Sequence, residues 1–342
     1  MLSYLLPFSS MRLFGKSTAL ARPAEGPEPW EPPPYADPAA FDEQEIEVGS
    51  GPLAVPGTLS LPRAAGPRPA AVLLAGGGPF DRDETGGPNK PLKDLAWGLA
   101  SRGVAVLRFD KVTHAHRDRI AGISGFTMTD EYVHHAAAAV GMLRAHPAVD
   151  AARVFVVGHS AGGKAAPRVA AAEPGVAGIV VMAGDTQPLH HAAIRVLRYV
   201  ASLSPKAARE MRATMKTVEE QAAVIDAPGF GADSGSVLGA PASYWLDLRD
   251  YDPVAVAATL DRPVLILQGG RDYQVTVADD LPGWRAGLAH RADAQIRVYE
   301  ADNHLFFRGE GPSTPADYEK TDHVDPQVVR DIADWLTGVA AR

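Results

Sequence analysis

The chain has 342 residues, no cysteine, 46% hydrophobic residues and a formal net charge of −8. Without cysteine it has no thiol nucleophile and no thiolate metal site. The acidic balance argues against a nucleic-acid partner, which requires a basic face. The longest clean apolar stretch, residues 176–184, is far shorter than the roughly 20 residues of a membrane-spanning helix.

Residues 1–44 are predicted to form a proline-rich leader that lies on the folded body or trails from it. The density of proline at 21–40 excludes a regular element with paired backbone groups. The apolar start is a weak signal-peptide candidate, because Arg12 and Lys16 follow the apolar stretch instead of preceding it. We therefore expect a cytoplasmic protein.

From residue 45 onward, strand and helix patterns alternate. Residues 45–48 and 53–61 predict a hairpin. Helical stripes at 92–99 and 133–143 and a last helix capped by Asp325 are interleaved with further strands. Those strands are predicted at 70–75, 104–109, 154–157, 179–182, 264–268 and 296–299. The pattern indicates an α/β fold with an eight-stranded, mostly parallel sheet and helices on both faces.

About eighty residues separate the strands at 179–182 and 264–268, too many for one crossover helix. Ser204 and Pro205 open a helix whose apolar stripe continues until residues 228–229, and residues 194–203 also have a helical pattern. We predict that residues 185–250 form a helical cap over a pocket. The core then comprises residues 45–184 and 251–342.

A G-x-S-x-G sequence at residues 158–162 follows a strand and precedes a helical pattern. In that context Ser160 projects from a sharp strand-to-helix turn as a nucleophile, and the amide of Ala161 points at the developing oxyanion. The same stretch matches the start of a phosphate-binding GxxxxGK loop ending at Lys164. Ala165 stands where such a loop needs Ser or Thr, so we favour the nucleophile.

The serine needs a base and an orienting acid. His304 follows the last predicted strand and Asp272 follows the strand before it, so both reach the carboxyl edge of the sheet. Asp185 is the second candidate for the acid, and His323 is a weaker candidate for the base. The pair His114 and His116 has no third ligand at metal spacing, so we expect no metal and no organic cofactor.

The loop after the strand at 70–75 is the expected source of a second oxyanion donor. Gly77 is the first candidate and Gly78 the second, because glycine amides can turn toward a small anion whereas Pro79 has no N–H. The charged residues 81–84 that follow predict an ion-pair network in which Arg82 bridges carboxylates, or else a solvated turn.

These motifs resemble the α/β-hydrolase superfamily, and more narrowly its bacterial esterase- and acyl-thioesterase-like serine hydrolases. The resemblance runs from about Glu45 to the C-terminus and includes GGGPFDRDET, VFVVGHSAGG, YWLDLRDYDP, VLILQGGRDYQV and NHLFFRGEGPSTP. It implies Ser160 as nucleophile, Asp272 as acid and His304 as base. It also implies oxyanion donors at Ala161 and the Gly77 region.

The expected function is hydrolysis of a small-molecule carboxylic ester through an acyl-enzyme. One alternative is an acyl thioester substrate, suggested by a cationic run in the cap: Arg195, Arg198, Lys206, Arg209, Arg212 and Lys216. Another is a binding or non-hydrolytic biosynthetic role on the same fold. The sequence leaves the acyl group, the alcohol and the oligomeric state open.

Overall fold

The computed structural model describes residues 30–63, 65–123 and 125–339, and within them the chain alternates strands and helices. The strands are β1 (Phe41–Val48), β2 (Val55–Pro62), β3 (Arg68–Leu74), β4 (Ala105–Phe109), β5 (Val149–His159), β6 (Ile179–Met182), β7 (Ser236–Val237), β8 (Ala240–Pro241), β9 (Val264–Gly269) and β10 (Ala294–Tyr299). The first 29 residues of the predicted leader, with the candidate signal peptide, lie outside the described residues.

Eleven α-helices connect these strands in the described part of the chain. They are α1 (Pro91–Ala100), α2 (Val112–Ala115), α3 (Arg117–Ala121), α4 (His134–Ala145), α5 (Ala161–Ala172), α6 (Leu189–Ser202), α7 (Pro205–Asp226), α8 (Ala242–Arg249), α9 (Pro253–Thr259), α10 (Leu281–Leu288) and α11 (Pro326–Gly338). One π-helical turn, Thr129–Val133, leads into α4. None of these helices combines the length and the apolar character that crossing a bilayer demands.

Eight strands form one sheet in the order β1-β2-β4-β3-β5-β6-β9-β10. Within this sheet β2 pairs antiparallel with both β1 and β4, and all the remaining neighbouring strands pair in parallel. The predicted eight-stranded, mostly parallel sheet is therefore confirmed. Side chains of β3 alternate between two apolar cores, with Val72 and Leu74 on the side of α4 and α5 and Ala71 and Leu73 on the side of α1 and α11.

The parallel arrangement places the carboxyl ends of β3, β5, β9 and β10 at one edge of the sheet. In an open α/β sheet, the crevice at this edge is where ligands bind. Four loops leave the sheet at this edge. They contain the candidate residues Gly77, Ser160, Asp272 and His304. The topology thus brings residues from four separate parts of the chain to one edge.

Between β6 and β9, residues 185–250 interrupt the alternation of sheet strands and helices. They contain α6, α7, the small β7-β8 hairpin and α8. The helix predicted from Ser204 is present as α7. The Ser204 hydroxyl caps it by accepting a hydrogen bond of 3.0 Å from the Ala207 N–H. The helix before it begins at Leu189, earlier than the predicted residue 194.

Residues 30–40 lie against α1. The Trp30 indole N–H donates to the Asp94 carboxylate at 2.9 Å, and its ring packs edge-on against Trp97. The same carboxylate lies 3.1 Å from the Nδ1 of His323. This buried acid therefore joins the start of the described chain to the segment before α11. Strand β1 then begins at Phe41, ahead of the predicted residue 45.

A second buried acid, Asp302, lies after β10, where it is 1% exposed. Burial first, and then the charge of Asp325, raises the pKa of Asp302 to about 7, although Arg308 and Arg271 oppose the shift. Asp325 itself caps α11 by accepting a 2.6 Å hydrogen bond from the Gln327 N–H. Asp302 is thus a carboxyl group that the fold keeps protonated in mildly acidic solution.

We predict that Asp302→Asn removes a pH-dependent loss of stability. An acid whose pKa is higher in the folded than in the unfolded state stabilises the fold fully below its unfolded pKa, and that contribution is lost as the pH rises through the folded pKa. The free energy of unfolding of the variant relative to wild type should therefore increase by about 2–3 kcal/mol between pH 5 and pH 8. Urea denaturation at both pH values measures this difference, and a constant difference would contradict the prediction.

Candidate functional site

Ser160 occupies the turn between β5 and α5 with a strained backbone, φ 54° and ψ −119°. Residues other than glycine rarely adopt a positive φ, and backbone strain of this kind is concentrated at functional sites. The turn is too tight for side chains at Gly158 and Gly162, which lie two residues before and two residues after the serine. A Cβ on Gly158 would lie 2.1 Å from the Gly162 carbonyl oxygen, and one on Gly162 would lie 2.4 Å from that of Leu74.

Two cavities meet at Ser160. The first, here called the histidine cavity, is lined by Gly77, Glu84, His159, Ser160 and His304, among others. The second, here called the apolar cavity, is lined by Ser160 and Ala161 on the sheet side and by one face of α6 (Leu189, Ala192, Ala193 and Val196) on the other. Gly77 and Gln274 line both.

Asp272 and His304 form a buried hydrogen-bonded pair beside Ser160. Asp272 Oδ1 accepts from the backbone N–H groups of Gln274 at 2.7 Å and Val275 at 3.0 Å. Its Oδ2 lies 2.7 Å from His304 Nδ1. Because Nδ1 donates to the carboxylate, Nε2 is the nitrogen of His304 that can accept a proton. The structure thus places Ser160, Asp272 and His304 at the same end of the sheet, with His304 bonded to Asp272 and lining a cavity with Ser160.

The alternative acid and base have other partners. Asp185 lies 2.7 Å from the Lys164 ammonium, and both side chains are buried. Lys164 is also the lysine of the GxxxxGK match, so its ammonium is already paired with a carboxylate. His323 is bonded to Asp94, away from the two cavities.

The loop after β3 holds one peptide group in a defined orientation. The Gly76 carbonyl accepts hydrogen bonds from the Lys111 ammonium at 2.8 Å and the Tyr132 hydroxyl at 2.9 Å. In a planar trans peptide the N–H points opposite to the C=O. The N–H of Gly77 therefore points away from Lys111 and Tyr132. Gly77 lines both cavities beside Ser160, whereas Gly78, with φ 123°, is not among the described residues that line them.

The charged residues 81–84 form an ion-pair network, one of the two predicted arrangements. Arg82 does bridge two carboxylates, but they are those of Glu45 and Asp110, outside the run. Asp83 pairs with Arg108 and Lys90.

Glu84 is the exception in that run, because it turns into the site. Its Oε1 accepts from the Gly76 N–H at 2.7 Å and lies 2.9 Å from Nδ1 of His159. The Nε2 of His159 lies 2.9 Å from the backbone oxygen of His304. Neither side chain was predicted to belong to the site. The sequence signal that could have indicated them is a histidine inside G-x-S-x-G together with an acid in the glycine-rich loop.

Among the described residues, one group has the side chains of a metal site: His190, His191 and Asp226. Each histidine is hydrogen-bonded through Nε2 to a different oxygen of the Asp226 carboxylate, at 2.9 Å for His190 and 2.8 Å for His191, so Asp226 on α7 links both to α6. Burial lowers the pKa of His190, although its hydrogen bond to Asp226 opposes the shift. His114 and His116 each contact a different backbone carbonyl, those of Pro79 and Ala54, and do not converge.

The chain is similar in sequence to known proteins over most of its length. The family model described as "Serine aminopeptidase, S33" matches residues 90–310. Esterase EstD of Thermotoga maritima is 39% identical over 308 residues, which cover 90% of this chain and 70% of EstD.

Solved structures share the fold at low sequence identity. An esterase of Pyrococcus furiosus superposes with a TM-score of 0.55 at 15% identity, covering 92% of this chain and 97% of the esterase. Est1E from Butyrivibrio proteoclasticus gives a TM-score of 0.53 at 15% identity, covering 87% and 99% of the two chains.

We predict that Gly162→Val strongly destabilises the protein, because the new side chain would meet the carbonyl oxygens of Leu74 and Ala75, which belong to rigid backbone. The free energy of unfolding should fall by about 2–4 kcal/mol, as for other overpacked sites. Gly141→Ala is the matched control, since this exposed helical glycine has no atom within 4 Å of the new Cβ. It should stabilise the protein by up to about 1 kcal/mol. Equal effects of the two substitutions in urea denaturation would contradict the prediction.

Proposed function

The chain belongs to the serine aminopeptidase S33 family and has the α/β-hydrolase fold, and on this premise we propose that it hydrolyses carboxylic esters by nucleophilic attack of Ser160. The observation that carries the proposal is the buried Asp272–His304 pair, which leaves His304 Nε2 as the base at the cavity that Ser160 lines. The 39% identity to an esterase supports the same reaction class.

In the proposed mechanism, His304 Nε2 takes the proton of Ser160 Oγ as the oxygen attacks the acyl carbonyl. Asp272 holds the imidazole in the required tautomer and stabilises the imidazolium that forms. The N–H groups of Ala161 and Gly77 hold the oxyanion, and Ala161 adds the positive end of α5. One such donor contributes roughly 3–4 kcal/mol to transition-state stabilisation, and general base catalysis roughly 3–5 kcal/mol.

The imidazolium of His304 then protonates the leaving alcohol, and an acyl-enzyme remains on Ser160. Water enters, His304 takes its proton, and the acid is released. No step in this sequence requires a metal or an organic cofactor.

The two cavities suggest how an ester lies in the site. His304 lines only the histidine cavity, and the leaving alcohol must lie next to the group that protonates it. The acyl chain then extends into the apolar cavity, whose α6 wall consists of aliphatic side chains. The substrate class is therefore an ester of an apolar acid with a small alcohol.

Residues 185–250 serve in this proposal as the cap that completes the acyl cavity. Ion pairs attach this segment to the core: Lys164–Asp185, Arg168–Asp247 and Arg195–Asp280. Asp280 is buried, so its pairing with Arg195 fixes the face of α6 that covers Ser160.

The thioester alternative receives less support from the structure. Most cations of the proposed phosphate-binding run have carboxylate partners: Arg195 with Asp280, Arg198 with Glu219, Lys206 with Glu210 and Lys216 with Glu220. Cations paired in this way are less available to the phosphates of a carrier. The complete set of catalytic groups likewise gives no reason to prefer a non-hydrolytic role.

We predict that Ser160→Ala abolishes turnover of p-nitrophenyl esters, with a loss of about 10⁴-fold or more. Asp272→Asn should lower kcat by roughly 10³–10⁴-fold, because the amide would favour the wrong tautomer of His304. Steady-state hydrolysis, with circular dichroism to verify folding, measures both. Full activity of the Ser160→Ala variant would disprove the mechanism.

We also predict that Ala193→Phe shifts the preferred acyl length of a p-nitrophenyl ester series toward shorter chains. Ala193 is 4% exposed and lines the apolar cavity, so a phenyl group there occupies space that the acyl chain would fill. Each methylene excluded costs about 0.8 kcal/mol of binding, so kcat/KM for long esters should fall at least about tenfold while that for acetate changes little.

Ala223→Phe is the control for this prediction, because Ala223 lies on the exposed face of α7. Its chain-length profile should match that of wild type. An unchanged profile in the Ala193→Phe variant would place the acyl chain elsewhere.

A further inference from the structure

We propose that Glu84 and His159 form a buried carboxylate–imidazolium pair that positions the oxyanion loop and the loop of His304 around Ser160. This inference rests on the proposed function and adds two positioning residues to it. Both side chains are nearly inaccessible: Glu84 is 5% exposed and His159 is 4% exposed. The pair lies in the wall of the histidine cavity, and His159 immediately precedes the nucleophile in sequence.

The protonation of His159 follows from the identity of its neighbours. Nε2 lies 2.9 Å from the backbone oxygen of His304, a group that can only accept a hydrogen bond. Nδ1 lies 2.9 Å and 3.0 Å from the two oxygens of Glu84. A neutral imidazole with one N–H would leave a lone pair facing either the carbonyl or the carboxylate, a repulsive contact in a buried site. A second proton must therefore be shared between Glu84 and His159.

The surroundings place that proton on the histidine. Glu84 Oε1 accepts from the Gly76 N–H at 2.7 Å, a hydrogen bond that is stronger when the acceptor is ionised. The ammonium of Lys111, which pairs with Glu131 at 2.9 Å, also interacts electrostatically with Glu84.

The neighbours of His159 also favour its protonated form. Burial alone would lower the pKa of His159, but the charge and hydrogen bond of Glu84, the His304 carbonyl and the charge of Asp272 outweigh it, and the pKa is raised. The ring of His304 itself is 4.8 Å away between centroids, and its Nδ1 is bonded to Asp272.

The pair connects three loops that meet at Ser160. Through Glu84 it holds the Gly76 N–H, and Gly76 precedes the Gly77 amide that we assign to the oxyanion hole. Through Nδ1 and Nε2, His159 then links that loop to the backbone of His304. The pair therefore positions an oxyanion donor and the base relative to the nucleophile without itself touching the substrate in the mechanism above.

Nitrogen-15 NMR of the histidine-labelled wild-type protein at pH 8 tests the charge state directly. We expect both ring nitrogens of His159, assigned through couplings to its backbone, to carry protons and to have imidazolium shifts. In Glu84→Gln the ring should have one protonated nitrogen. A single protonated ring nitrogen in wild type would overturn the ion pair, and this result does not depend on whether the protein hydrolyses esters.

Kinetics test the positioning role. Glu84→Gln should slow both p-nitrophenyl ester turnover and labelling of Ser160 by a phosphonate by about 10- to 100-fold, less than the loss of an oxyanion donor itself. The loss should be in kcat, with KM changed less than about threefold, because the apolar cavity is untouched. Labelling and kcat equal to those of wild type would overturn this role.

Asp83→Asn is the matched control, because Asp83 is a buried acid in the same loop that pairs with Arg108 and Lys90. It should lower thermal stability while leaving the His159 spectrum and the rate of Ser160 labelling within about twofold of wild type. Equal losses of labelling in the two variants would show a general loosening of the loop and would overturn the specific role of Glu84. Failure of wild type to hydrolyse any ester would instead count against the proposed function alone.

Discussion

The close packing of the turn between β5 and α5 is the constraint on which the rest of the site depends. Backbone atoms of the β3 loop and of α5 approach Gly158 and Gly162 so closely that neither position can hold a side chain. This contact forces Ser160 into its positive-φ conformation and presents its side chain above the sheet edge. It also fixes the distance between the serine and the loop that carries Gly77.

Three buried ion pairs connect segments around the site. Lys111 pairs with Glu131, Lys164 with Asp185, and Arg108 with Asp83. Removing one member of such a pair leaves an uncompensated buried charge, which costs several kcal/mol. These pairs therefore specify loop positions, because any rearrangement would separate them.

The site combines rigid and adaptable parts. The proposed nucleophile, base and oxyanion loop rest on strand ends of the sheet, so their geometry is set by the core. The proposed acyl cavity depends on α6, which contacts the core through ion pairs and small aliphatic side chains. Under this proposal, substitutions in α6 change the preferred substrate while the proposed catalytic groups stay in place.

The sequence by itself determined the sheet and the three candidate residues of the triad. Apolar runs of strand length and glycine-flanked turns are local signals, and carboxyl ends of parallel strands necessarily share an edge. The helix beginning at Ser204 was predictable for the same reason, since a cap and an apolar stripe are properties of consecutive residues.

Only the tertiary structure decided which charged side chains face the site. Within residues 81–84 the side chains have similar local sequence surroundings, yet Arg82 and Asp83 pair with other strands and Glu84 turns toward His159. The proposed preference for Gly77 over Gly78 likewise rests on Lys111 and Tyr132, which orient the Gly76 carbonyl from distant positions in the chain. Local periodicity contains no information about such contacts, because they arise only when separate elements pack together.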